Sequence, residues 1–149
     1  MKTLDITCLC GAVHVQLSGE AAVQFYCHCD DCQATSGGAY VGVAVFPAAA
    51  VNIVQGNLVA YTLKTMPRKR CAICGTAMLA EVPALNQIGV KADRLPSGQF
   101  KPAFHENCRY AVLPIKDDLP HYKGYPALFG GSDETVGWQA AFSKTEVRI

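Results

Sequence analysis

The stretch TCLCGAVHVQLS, residues 7–18, decides how the chain is built. Cys8 and Cys10 sit on a Cys-x-Cys-Gly turn, and Val13, Val15 and Leu17 then alternate with His14 and Gln16. A period of two is the signature of a strand. Glycine directly after the second thiol lets the backbone fold back, so that its N–H groups can face the sulfurs. A second turn of the same kind, CAICG, falls at residues 71–75. Two such halves make one tetrahedral four-thiolate zinc site on Cys8, Cys10, Cys71 and Cys74, which would tie the start of a sheet to its middle and add folding free energy directly.

Beyond these turns the chain reads as mainly β. The runs AYVGVAVF (39–46), VNIVQ (51–55), LVAYTL (58–63), AMLAEV (77–82) and NQIGVKA (86–92) are short, rich in Val, Ile and aromatics, and separated by Gly, Pro or Asn. Only DDCQATSG (30–37), with Asp first and Gly last, has the punctuation of a helical turn. At 149 residues, half of them hydrophobic and 17% charged, the chain suits one globular domain. Residues 1–126 are expected to form a zinc-binding domain and 127–149 a C-terminal extension of it, with Trp138 as a packing anchor.

Eight cysteines with no secretory leader in MKTLDITCLCG point to metal binding in the cytoplasm, not to a disulfide scaffold. No apolar run is long enough for a membrane span. The formal charge is +1, and two zinc ions on seven thiolates would bring it to −2. Neither value suits a nucleic-acid partner.

A third cluster, YCHCDDCQATSGG (26–38), holds Cys27, Cys29 and Cys32. Three thiols can cap one face of a second zinc and leave its fourth position open, as in catalytic sites. Alternatively Cys108 or a histidine such as His105 completes a structural site, or the cluster is a redox pair with a bystander. Three thiolates make zinc a weak Lewis acid but suit it to taking up one more thiol and presenting it as a nucleophile. Around this cluster, Asp30 and Asp31 either accept a proton from an incoming thiol or, as expected of Asp at a helix start, cap the following turn. His28 is expected behind the ligands or at the surface. Arg68, Lys69 and Arg70 form either a solvated turn or a receptor for substrate carboxylates. HENCRY (105–110), with His105, Cys108 and Arg109, is where a late fourth ligand would come from, and His121 and Tyr122 are late candidates for the pocket rim.

These pieces in this order resemble the glutathione-dependent formaldehyde-activating enzymes, a family grouped with centromere protein V. The resemblance rests on C-x-C-G at 8–11, C-H-C-x-x-C-Q at 27–33 with Ser36-Gly37, C-x-x-C-G-T at 71–76, VFP at 45–47 and DDLPHYKGYP at 117–126. It implies an all-β zinc fold called a β-tent, with a structural zinc on Cys8, Cys10, Cys71 and Cys74 and a second zinc on Cys27, Cys29 and Cys32. It also implies a carbon-sulfur lyase that joins glutathione and formaldehyde into S-hydroxymethylglutathione. The chain departs from many relatives in having Arg70 where they carry an aromatic residue, and no Pro-Trp pair in AVLPIKDD (111–118). The rival reading is a non-enzymatic binding module with both metals structural.

Overall fold

A computed structural model describes residues 1–139 of the chain, so the last ten residues of the expected extension lie outside the described residues. Packing divides the chain into two units, one of Met1–Gln24 with Val43–Lys101 and one of Phe25–Gly42 with the chain from Pro102 onward.

The first unit is antiparallel β. Strands β1 (Thr3–Thr7), β2 (His14–Ser18) and β5 (Val51–Gln55) form a three-stranded sheet in the order β1-β2-β5, with Ile6 opposite Val15. Five further strands follow one another as β4 (Val41–Pro47), β9 (Gln87–Lys91), β8 (Ala77–Val82), β7 (Arg68–Cys71) and β6 (Leu58–Tyr61). The alternation read in residues 13–17 has its cause here: Val15 and Leu17 are buried while His14 and Gln16 are half-buried on the other face. Ile6, Val13, Val15 and Leu17 join Ala44, Phe46, Met78, Leu79 and Val90 in one core, which also contains Cys8 and Cys71. Each large apolar side chain buried there stabilises the unit by about 1.5–3 kcal/mol. The two buried thiols of the first cluster are therefore continuous with the hydrophobic core.

Residues 68–70 are not a turn. They form β7 between β6 and β8, and each charged head meets a neighbour within the unit. Arg68 is buried and donates from Nη1 to the Met66 carbonyl at 3.0 Å, Lys69 pairs with Glu81 at 2.9 Å, and Arg70 lies 5.0 Å over the Tyr61 ring. Long aliphatic stems let such residues serve a sheet while their charges reach partners. The expected solvated turn is replaced by a sheet strand.

The second unit carries β3 (Val23–Cys27), α1 (Asp30–Ser36) and the two-residue β10 (His105–Glu106). β10 runs parallel to β3, with His105 beside Tyr26 and Glu106 beside Cys27. Phe25 stacks on Phe104 with centroids 5.2 Å apart and meets Phe129 edge-on at 5.5 Å, which packs the start of the expected extension into this unit. Trp138 is not a buried anchor: it is 40% exposed, with the Lys116 ammonium 5.8 Å from its ring centre. Mostly β with a single short α-helix, the described chain matches the fold class read from the sequence. Among the described residues no helix is long and apolar enough to cross a membrane.

Candidate metal centres

In the first unit, Cys8 follows β1 and Cys71 ends β7, so two strand ends deliver the two halves of a cluster. Both turns close as glycine allows, with Gly11 at φ +80° and Gly75 at φ +76° donating to the carbonyls of Cys8 and Cys71 at 3.1 and 3.0 Å. The backbone N–H of Val13 points at Cys8 Sγ (3.2 Å), and those of Ile73 and Cys74 point at Cys71 Sγ (3.4 Å each). Thr76 links the halves, accepting from the Leu9 N–H at 3.1 Å and lying 3.0 Å from Cys74 Sγ. The four sulfurs all fall within 4.8 Å of one another, with Cys8–Cys10 at 3.5 Å and Cys10–Cys71 at 3.8 Å. A tetrahedron with Zn–S bonds of about 2.3 Å has edges of about 3.8 Å. The donor set and spacing therefore fit zinc.

The electrostatics of this cluster agree. Hydrogen bonds from Thr76 bring the Cys74 thiol down to about 5. Cys10, despite a favourable bond from the Ala12 backbone, is pushed up to about 11, with the neighbouring Cys8 sulfur as the leading opposing cause. Thiols this close cannot all ionise unless a cation joins them.

The second unit brings Cys27, Cys29 and Cys32 together, again with sulfurs within 4.8 Å of one another. Cys27 ends β3, Cys29 is the N-cap of α1, and Cys32 lies in its first turn. The cap is the Cys29 sulfur, which accepts from the Cys32 N–H at 3.2 Å. Asp30 and Asp31 therefore do not cap α1. They occupy its first turn, where negative charge favours the helix N-terminus. Cys27 and Cys32 are buried and Cys29 is half-buried, the least buried of the three.

No fourth Cys, His, Asp or Glu among the described residues shares that radius with all three sulfurs. Cys108 is buried outside the group, and His105 is committed elsewhere. Hydrogen bonding to Cys29 and Cys32, then burial, pushes Cys27 well up. For Cys29 the bond to Cys27 acts downward, but Cys32 and burial prevail and push it up to about 12. Here too the donor set calls for a cation.

Two residues that sequence reasoning missed lie against the trio. Glu106 is buried beside Cys27, with Oε2 3.9 Å from Cys27 Sγ, and burial pushes its carboxyl up to about 8. Asn107, in the left-handed region at φ +56°, donates from Nδ2 to Glu106 Oε2 at 3.1 Å and to Cys27 Sγ at 3.6 Å. Nothing local in HENC (105–108) marks them; all four residues are buried in the fold, where a Glu and an Asn are costly without partners.

A third group, His105, Asp117 and His121, also gathers within 4.8 Å. His105 Nε2 and His121 Nε2 lie 2.6 and 2.9 Å from the two oxygens of Asp117. The two rings are stacked, with centroids 4.3 Å apart and planes 10° apart. A metal ion binds imidazole in the ring plane, and no point lies in two parallel planes. This group suits a shared carboxylate better than a metal. His28 is buried and lies 2.9 Å from His105 Nδ1 through its Nε2, so a surface position for it is corrected. His121 is likewise buried, and Tyr122 packs edge-on to Phe104. Arg109 lies 5.4 Å over the Tyr110 ring.

Among solved structures, the chain is similar to a Rhodobacter sphaeroides protein whose crystal structure was determined as a structural genomics target. The two are 23% identical and superpose with a TM-score of 0.53 over 63% of this chain and 89% of that one, a likeness that concerns the fold alone. No curated protein sequence matches the chain significantly. The family model described as glutathione-dependent formaldehyde-activating enzyme matches residues 3–110. That span contains all three cysteine turns and the Glu106–Asn107 pair, and the chain belongs to the glutathione-dependent formaldehyde-activating enzyme family.

Proposed function

We propose that this protein is a cytoplasmic zinc enzyme of the carbon-sulfur lyase type, which joins a small thiol, glutathione or a close relative, to formaldehyde. Cys8, Cys10, Cys71 and Cys74 hold a structural zinc, and Cys27, Cys29 and Cys32 hold a second one. Family membership supports the reaction class. The observation that carries the reading is the thiol trio, which has no fourth protein ligand within its radius among the described residues and includes the half-buried Cys29. When bound there, zinc supplies a cation that holds an incoming thiol as its thiolate near neutral pH.

In the reaction a sulfur–carbon bond forms, the carbonyl π bond breaks, and one proton passes from the thiol to the former carbonyl oxygen. Glu106, whose Oε2 lies 3.9 Å from Cys27 Sγ, is the group we assign to carry that proton. Asn107 keeps this carboxyl and the Cys27 sulfur in register by donating to both. The peptide N–H of Cys32 fixes Cys29, and the Gln33 side chain braces the same loop by donating to the His28 and Tyr110 carbonyls at 2.8 and 2.9 Å.

The test is a thermal-shift panel of glutathione, other cellular thiols and formaldehyde, run alongside zinc stoichiometry. Glutathione should raise the melting temperature of the wild type but not of Cys29→Ser, which should keep the zinc of the four-thiol cluster. Two zinc ions with no response to any thiol would instead support the binding module with both metals structural.

A further inference from the structure

Three histidines from distant parts of the sequence meet in the second unit, and the hydrogen bonds among them have one consistent direction. Asp117 is held below the ordinary carboxylate range, with bonds from His105 and His121 outweighing its desolvation, so it is an acceptor only. Both imidazoles bonded to it must then carry hydrogen on Nε2. His105 is wholly buried and burial holds it neutral, so its Nδ1 bears a lone pair. The partner of that lone pair, His28 Nε2 at 2.9 Å, must therefore be the donor. The other ring nitrogen of His28, Nδ1, is buried with no group in reach to accept a hydrogen, which agrees with a single ring hydrogen on Nε2.

His28 is also the residue between Cys27 and Cys29, and its backbone is tied at both ends. Its N–H donates to the Glu106 carbonyl at 3.0 Å, and its carbonyl accepts from Gln33 Nε2 at 2.8 Å. The side-chain bond to His105 is a third tether. Aromatic neighbours hold the two rings in place, Tyr40 stacked on His28 at 5.1 Å and Tyr26 on His105 at 4.9 Å. Rotation of residue 28 would turn the flanking sulfurs with it.

We propose that Asp117, His105 and His28 form a hydrogen-bonded relay of fixed polarity, running from the carboxylate to the metal loop, that positions Cys27 and Cys29 for metal binding. Asp117 and His105 are positioning residues in this scheme, and neither is a ligand. The inference rests on the reading of the trio as a metal site. Outer partners of this kind typically change metal affinity by about 10- to 100-fold.

The test uses the zinc-loaded full chain with ¹⁵N-labelled histidine, together with metal titrations of wild type and Asp117→Asn. In the wild type, long-range ¹H–¹⁵N spectra should show a hydrogen on Nε2 of each of His28, His105 and His121, directed along the observed hydrogen bonds. Asp117→Asn offers one acceptor in place of two, so at least one tautomer should change. It should also weaken cobalt binding at the trio by about 10-fold or more, while the thiolate-to-cobalt absorption of the four-thiol cluster stays unchanged. Asp117→Glu, which restores two acceptor oxygens, should recover at least part of the affinity. Protonation of His28 at Nδ1, a third metal ion on His105 and His121, or trio affinity unaffected by Asp117→Asn would each overturn the relay. A trio that binds metal with relay-dependent affinity yet ignores every thiol would leave the relay standing and refute the proposed reaction.

Discussion

The two thiol clusters should differ sharply in what they contribute to stability, and the difference follows from chain length alone. Cys10 and Cys71 are 61 positions apart, so a metal that joins them closes a long loop in the unfolded chain. The loop-closure relation for a cross-link of that length gives about 4 kcal/mol, and for a protein of this size about 3 °C is lost per kcal/mol, or about 12 °C in all. The trio lies within residues 27–32, a loop that α1 already folds, and the same relation gives about 2 kcal/mol at most. Cys10→Ser with Cys74→Ser removes one ligand from each half of the first cluster and alters only exposed positions. Calorimetric unfolding of this double variant, of Cys29→Ser and of the wild type, all purified with zinc, compares the two directly. A melting temperature for the double variant within about 3 °C of the wild type, or a larger loss for Cys29→Ser than for the double variant, would refute the assignment of the first cluster as a structural clamp.

Other perturbations give equally definite expectations. Glu106→Gln should keep two zinc ions per chain and lower the turnover of thiol–formaldehyde addition by about 100-fold, measured by adduct formation under saturating substrates. Phe25→Ala, which removes a buried ring from its stack on Phe104, should cost about 3–5 kcal/mol by urea unfolding with the metal content unchanged. Stability should fall on acidification between pH 6.5 and about 4, because unfolded histidine binds a proton in that window while His28, held down to about 4 mainly by burial, does not. That gap corresponds to about 3 kcal/mol, and His28→Gln should flatten this part of the profile. Asp117, whose pKa is also depressed, acts in the same sense further down, below about 3.8.

The sheet was legible in most of the strands that alternate or concentrate β-branched residues. VNIVQ and AMLAEV coincide with β5 and β8, and DDCQATS is α1. Four strands escaped notice: TLDIT (β1) and VQFYC (β3) have ordinary strand composition, whereas β7 and β10 take their strand character from neighbours. RKRC becomes β7 because β6 and β8 pair with it on either side, and HE becomes β10 because β3 lies beside it. The thiol clusters were legible because spacing and glycine turns are local. Their surroundings were not: Glu106, Asn107 and Asp117 reach Cys27 and His105 from far along the chain, and no local pattern announces a contact of that range.

The central claim, that the trio holds zinc and receives a substrate thiol as its fourth ligand, is tested most directly by zinc X-ray absorption of the loaded protein with and without glutathione. Four sulfurs around one zinc and three around the other predict an average of about 3.5 sulfur ligands per ion, rising to about 4 when glutathione is added. An average that starts at about 4, or does not move with glutathione, would contradict it.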